Sequence, residues 1–365
     1  MNLKSFIKKV EQKYPLGLAY DWDNVGLLVG DFDMDIKKIL VVLEANEKVI
    51  DEAISKDVDL IVTHHPFIFK KMNKINTSDL KGKLIHKLIK NDIALYSMHT
   101  NFDIAFEGLN DYFMEIIGIE ETKVLDITSS EVLYKLAVYV PTTHVEKVKE
   151  SLAKAGAGHI GNYSNCSFST QGIGNFKPLE GTNPYIGQIG EVESVEEVKI
   201  ETIVPQRVLG GVINSMLNAH PYEEVAYDIY KLENKGKIYG LGRIGKLDST
   251  INLKELCNNI KKKLNMSHIR VVGDLNSSIK KVAVVTGSGA DMIKKAQRSG
   301  ADVIITGDVK YHDAQDALDM SMNVIDCGHF DTEDIFKDVM ERFLCNIDEI
   351  EVIKSEIYLN PFTTI

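Results

Sequence analysis

Lys38–His65 reads KILVVLEANEKVIDEAISKDVDLIVTHH, and Lys281–Asp308 reads KVAVVTGSGADMIKKAQRSGADVIITGD. The two align without a gap, and eight of the 28 positions are identical: Lys38/Lys281, Val41/Val284, Val42/Val285, Ile50/Ile293, Ala53/Ala296, Asp59/Asp302, Ile61/Ile304 and Thr63/Thr306. Each copy opens on an apolar β run, continues at helical spacing, and closes on a second β run ending in Thr. That pattern is a β-α-β crossover, with parallel strands covered by helices. Its recurrence predicts an α/β domain built from related β-α-β units, one in each half of the chain.

The stretch between the copies has another character. Tyr134–Pro141 and Val198–Pro205 read as strands, each followed by a helix, over His144–Ala155 and Val208–Ala219. Cys166–Phe176 is a hairpin candidate, and Val225–Leu232 a further strand. The order β-α-β-β-α-β is that of a ferredoxin-like module. The expected organisation is therefore a discontinuous, two-lobed α/β domain, residues 1–127 and 238–365, with a ferredoxin-like module inserted at 128–237.

The 365 residues carry 42 Lys and Arg against 53 Asp and Glu, a formal charge of −11. Such a field argues against binding duplex nucleic acid, although it leaves room for a local basic patch. The longest aliphatic run near the start, Ile39–Leu43, is far short of the roughly 20 residues a membrane helix needs. The N-terminal MNLKSFIKKVEQKYP reads as an amphipathic helix rather than a signal peptide. Cys166, Cys257, Cys327 and Cys345 are widely spaced, which suits reduced thiols in a cytoplasmic protein.

Three clusters at strand ends carry the chemistry. His64 and His65 close the strand Asp59–Thr63, and Pro66 ends it. Adjacent residues of a regular strand point to opposite faces, so both histidines reach one cleft only where the strand stops. His99 and Asp103 follow the β run Ile93–Tyr96, and His329, Asp331 and Glu333 follow Asn323–Asp326. If Thr332 opens a helix, His329 and Glu333 share its first face. Plainer roles fit as well: Asp103 and Asp331 as helix caps, Glu333 as a partner of the helix dipole. Ligands of open α/β sheets gather at the C-terminal strand edge, so the clusters can converge there. Imidazoles with carboxylates suit zinc, iron or manganese, and a carboxylate can bridge two such ions. Asp308 and His312 stand in the second copy where His64 and His65 stand in the first. They are candidates for acid–base roles, as is His99, or for capping a helix over Asp313–Met320.

These segments resemble the GTP cyclohydrolase 1 type 2 homologues, the NIF-three-like family, in its long bacterial form. The resemblance rests on YDWDNVGLLVGD (Tyr20–Asp31), IVTHHPFIF (Ile61–Phe69), MHTNFDIAFEGLND (Met98–Asp111), VVTGSGADMI (Val284–Ile293), VIITGDVKYHDAQDA (Val303–Ala317) and GHFDTE (Gly328–Glu333). HPYEEVAYDIY (His220–Tyr230) is similar to the family's extra module. The resemblance implies a dinuclear site of two divalent ions. One would sit on His65 and Asp103 and the other on His64 and His329, with Glu333 bridging. It also implies a toroidal homohexamer. Cys327 departs from the small apolar residue usual at its position.

The implied reaction is hydrolysis of a purine nucleotide, with release of formate from GTP. Gly287-Ser-Gly-Ala290 could offer backbone N–H groups to a phosphate, or simply pack. Trp22, the only tryptophan, could stack on a base or fill the core. The competing readings are a non-catalytic metal-binding scaffold, chaperone or regulatory ring, and a toroid that holds nucleic acid.

Overall fold

The computed structural model describes residues 1–347 and 349–363, and the chain divides into two compact units. One comprises residues 1–129 and 239–365, the other 130–238. The strands Thr122–Pro141 and Tyr227–Asn252 each contribute residues to both units.

In the first unit both repeat copies form the predicted parallel pair, and in the same register. Ile39, Leu40 and Val41 face Leu60, Ile61 and Val62, while Val282, Ala283 and Val284 face Val303, Ile304 and Ile305. The shared Asp does the same work twice. Asp59 Oδ2 accepts from the backbone N–H of Lys37 and Lys38 at 2.7 and 2.8 Å. Asp302 Oδ2 accepts from Lys280 and Lys281 at 2.9 and 2.7 Å. The shared Lys repeats too, with Lys38 Nζ donating to Lys56 O and Lys281 Nζ to Ser299 O. Side chain, backbone partner and register thus recur together, which apolar patterning alone would not produce.

Each copy extends into a sheet. The strand order in one is Gly26–Val29, Ala94–Ser97, Leu60–Thr63, Lys38–Val42, Glu351–Lys354, parallel except for the first pair. In the other, Ser278–Ser288, Val303–Gly307 and Asn323–Asp326 run parallel, with Arg270–Val272 antiparallel at the edge. The central strands are buried on both faces, as parallel strands require. Ile39, Val41, Leu60 and Val62 face a core shared with Val282, Val284, Val303 and Ile305 of the other sheet. Leu40, Val42 and Ile61 pack on the opposite side. The helices Leu3–Lys13, Leu253–Lys263 and Phe336–Leu344 bury their apolar faces in the shared core. The first of these is the amphipathic segment expected at the N-terminus. Cys327 is buried here, where burial pushes its thiol pKa up, so it acts as a small core residue.

The unit of residues 130–238 is an antiparallel sheet with the helices Val145–Lys154 and Leu209–Ala219. Its strand order is Ser167–Phe176, Glu193–Pro205, Thr122–Pro141, Tyr227–Asn252. Cys166–Phe176 is not itself a hairpin. Residues 167–176 form one strand, paired along its length with residues 193–202 of the next strand, Glu193–Pro205. No helix among the described residues is long and apolar enough to cross a membrane.

Arg243 is the largest fully buried side chain of the described residues, and all five of its N–H groups are used. Nε and Nη2 donate to Asp111 Oδ1 and Oδ2 at 2.7 and 2.8 Å, and Nη2 also to Ala105 O at 2.8 Å. Nη1 donates to Gly240 O and Gly242 O, both at 2.9 Å. The guanidinium thereby ties the returning strand to the segment just past Asp103. Removing its counter-ion would strand a buried charge. Asp111→Ala is expected to cost about 3–5 kcal/mol in urea unfolding, far more than an exposed ion pair would.

Candidate metal centre

All the strand-end clusters lie in the first unit, and five of the residues named from sequence meet. His64 and His65 leave the strand Leu60–Thr63, and their backbone N–H groups both donate to Leu43 O, which turns the chain out of the sheet. Asp103 lies in the short helix Thr100–Ile104. His329 and Glu333 begin and end the one-turn helix His329–Glu333, which opens at His329 rather than Thr332. Thr332 instead staples that helix: its hydroxyl donates to Gly328 O and His329 O and accepts from Gly287 N.

Glu333 is the hub. Its Oε2 accepts from His65 Nε2 at 2.8 Å and lies 2.9 Å from His329 Nε2. Its Oε1 lies 3.7 Å from His64 Nε2, which is itself 3.7 Å from Asp103 Oδ1. Donors therefore group as His64 with Asp103, and His65 with His329. This differs from the pairing the resemblance implied, His65 with Asp103 and His64 with His329. The reason is local. His64 turns inward under Phe102 and Phe336, beside Asp103, while His65 turns toward the helix that carries His329.

Electrostatics follow the geometry. Burial alone would raise the Glu333 carboxyl, but the hydrogen bonds of His329 and His65 hold it well below the usual range. Burial opposes a charge on His65, yet Glu333 and Glu44 outweigh it and raise its pKa to about 10. Glu333 raises His329 to about 9 against burial, with Asp308 adding to the shift. Asp103 moves the other way, pushed up by burial despite the pull of His64.

Non-ligand groups fix the rings. His64 Nδ1 donates to Met98 O at 2.8 Å, so its Nε2 faces the cluster with a lone pair. His329 Nδ1 donates to Asp308 Oδ2 at 2.7 Å. His65 Nδ1 lies 3.6 Å from Glu44 Oε2. His64 Nε2 and Asp103 Oδ1 are both buried and, among the described residues, have no hydrogen-bond partner. Two orphaned atoms of metal-ligand type, 3.7 Å apart and beside Glu333 Oε1 on the His64 side, fit a bound cation. His64, His65 and His99 form one group that could hold a metal ion, and His65, His329 and Glu333 a second.

The remaining candidates divide. His99 caps the helix Thr100–Ile104 and holds Asp23 at 3.0 Å. Burial would raise the Asp23 carboxyl, but hydrogen bonds from His99 and Thr100 bring it down to about 2. Burial likewise disfavours a charge on His99, which Asp23 and Asp103 nonetheless raise. Asp308, in a left-handed conformation at φ 55°, orients His329 and caps no helix. His312 is exposed on the helix Tyr311–Asp319, and no hydrogen bond or ion pair described for it reaches the cluster. That helix starts at Tyr311, where Asp313 accepts from the backbone N–H of Lys310. Asp331 is no ligand of the hub either, lying on the wall of the neighbouring cleft.

Trp22 does not fill the core. It is 59% exposed, stacked on Tyr20 and set edge-on to His99 and Phe69. The glycine turn packs: Gly287 N donates to Thr332 Oγ1 and Gly289 N to Thr306 Oγ1, both at 2.9 Å. A cleft of about 650 Å³ opens beside His65 and His329, with Glu44, Arg270 and the segment 359–362 on its walls.

Glu44 and Asp23 were missed from sequence. For Glu44 a signal existed, because it ends a repeat strand as His64 and His65 do. In the alignment Glu44, His64 and His65 stand opposite Gly287, Gly307 and Asp308. A Cβ on Gly287 would lie 2.0 Å from Glu333 Oε1, and one on Gly307 would lie 2.7 Å from the backbone of Gly328 and His329. The second copy is bare so that the ligand-bearing turn can approach.

An α/β domain with histidines and glutamate gathered at its strand ends defines a protein whose buried groups could hold metal. The pattern of the Duf34/NIF3 (NGG1p interacting factor 3) family matches residues 1–361, and the chain belongs to that family. A Bacillus subtilis (strain 168) protein named GTP cyclohydrolase 1 type 2 homolog is 47% identical, over 100% of this chain and 98% of its own. A Listeria innocua relative of the same name is 42% identical over 97% of this chain and 96% of its own. Among solved structures, a Bacillus cereus protein related to NIF3 is similar at TM-score 0.92 and 41% identity, covering 100% of this chain and 99% of that one. A Staphylococcus aureus protein is similar at 0.78 and 32%, with the same coverage.

Gly287 gives a test that leaves every ligand in place. Its φ of +66° would cost an alanine about 1–2 kcal/mol, and the added methyl would displace Glu333. Gly287→Ala should lower bound metal per chain, read by elemental analysis, in a protein that still melts cooperatively.

Proposed function

We propose that the chain is a dinuclear metal-dependent hydrolase acting on a purine nucleotide or a similar substrate. His64 and Asp103 would hold one divalent ion, zinc, iron or manganese, and His65 and His329 the other, with Glu333 shared. The observation that carries this reading is the pair of orphaned ligand-type atoms, His64 Nε2 and Asp103 Oδ1, buried 3.7 Å apart with Glu333 Oε1 3.7 Å from the first. Bound there, the metals would supply Lewis acidity that activates water for attack on an electrophilic carbon.

The other residues have their own tasks. Met98 O, Asp308 and Glu44 orient the three imidazoles, which keeps donors aligned without substrate. His99, its Nδ1 held by Asp23, carries a proton at the edge of the cluster and is placed for general acid–base work. Trp22, Tyr20 and Phe69 give that edge a flat, exposed aromatic surface, suited to stacking a planar base. The names of the relatives favour a cyclohydrolase-type ring opening with loss of formate.

Further expectations belong to the same reading. The family resemblance supports a cytoplasmic homohexamer, and light scattering that returned a single chain mass would remove it. The element and strand order of residues 130–238 supports an inserted ferredoxin-like module.

Metal analysis decides the ligand set. His65→Ala should empty at least one site, and Glu333→Gln should bring two ions per chain towards one while the fold persists. Full occupancy in either variant would reject the assignment. For the reaction, wild-type protein loaded with each metal is incubated with GTP, and formate is measured. Release that is lost in Glu333→Gln is expected. Metal-replete protein that releases none would favour the scaffold reading.

A further inference from the structure

The unit of residues 130–238 holds a cavity of its own, of about 280 Å³, which the metal centre does not use. It lies beside the end of the strand Ser167–Phe176 and the loop that follows, and its walls are aromatic and acidic. Phe176 and Tyr185 both pack against Tyr222, at ring-centroid distances of 5.9 and 6.1 Å and tilts of 58° and 47°. Rings tilted in this way line a concave corner rather than a flat stack. Tyr185 is half-exposed, so the corner opens to solvent.

The acidic groups are built in. A Cβ on Gly174 would lie 2.2 Å from Glu197 Oε2, so the absence of a side chain there leaves room for that carboxylate. Glu223 accepts from the backbone N–H of Asn183 at 3.1 and 3.2 Å, which ties the loop down over the cavity. Glu224 adds a third carboxylate to the lining, against one cation, Lys177. The Tyr222 hydroxyl is shut off from solvent. Burial, then the charge of Glu197 and a hydrogen bond to that carboxylate, push the Tyr222 pKa up, so the hydroxyl stays neutral, donating to Glu197 with its own lone pairs left to accept.

Aromatic faces present negative charge density, and the carboxylates add formal charge, so the corner repels anions and attracts cations. Aromatic walls cannot replace the water of a small hard ion, whereas a diffuse organic cation sheds its hydration readily. We propose that this cavity binds a small organic cation, an ammonium or guanidinium on a short aliphatic chain. The charge lies between Glu197 and the faces of Tyr185 and Tyr222, with the Tyr222 hydroxyl accepting an N–H. The aliphatic part rests on Pro178, Pro184 and Ile186.

Calorimetric titration of the full-length protein with butylguanidinium, in an amine-free buffer at moderate salt, tests this. One saturable site per chain is expected, with the neutral isostere butylurea at least about tenfold weaker. Glu197→Gln preserves shape and should weaken the cation by about tenfold, as should Tyr185→Leu at a half-exposed position. Melting temperature and metal content should not move in either variant, which separates the result from misfolding. Absence of saturable heat, equal affinity for butylurea, or wild-type binding by both variants would overturn the proposal.

Discussion

The candidate site depends on one buried carboxylate. Glu333 sits where water cannot solvate it, and an uncompensated anion there would cost several kcal/mol. Compensation comes from His329 on its own helix and from His65, 268 residues earlier in the chain. The two halves of the domain are thus held to one geometry by an electrostatic requirement as well as by their common core. If the strand end carrying His65 shifted by one residue, a different side chain would face Glu333 and only His329 would be left to compensate the charge.

The duplicated units meet this requirement by dividing the labour. Both keep the groups that build the crossover: the Asp at the second strand's start, the Lys at the first strand's start, and the apolar strand faces. They diverge at the strand ends, where the first unit carries Glu44, His64 and His65. The second carries Gly287 and Gly307, which clear space for the turn before His329, and Asp308, which orients that ring. A side chain at Gly287 would enter the volume that Glu333 occupies, and one at Gly307 would strike the turn before His329. The asymmetry is a steric necessity of building one centre from two copies.

How much of this was legible followed the range of each interaction. The βαβ units and the strand-end positions of His64, His65, Asp103, His329 and Glu333 rest on periodicity and local order, which sequence displays. The grouping of donors was not legible, because ring direction is set by Met98 O, Asp308 and the packing of Phe102 and Phe336. Arg243 was invisible for a similar reason. A lone Arg in a Gly-rich strand gives no hint that Asp111 and three carbonyls close around it. His312 misled through a correct alignment: it follows the matched segment, but an exposed helix carries it clear of the hub. Trp22 had two readings in sequence, and only its exposure excluded the core.

The hydrogen bonds around the cluster also bear on what a cation would contribute. In small metal domains the ligands come together only when the ion binds, and its binding energy drives folding. Here a large two-sheet core already fixes the strand ends, and Met98 O and Asp308 hold His64 and His329 in place from behind. What remains unsatisfied is small by comparison. His64 Nε2 and Asp103 Oδ1 each forgo a partner, at about 1–3 kcal/mol apiece. A fold of this size can bear that deficit without the ion, since its stability comes from the packed sheets. The deficit is then recovered on binding, adding to affinity instead of to folding. A cation bound in a centre arranged this way would come and go without the chain unfolding, which would suit chemistry at the ion better than a structural clamp.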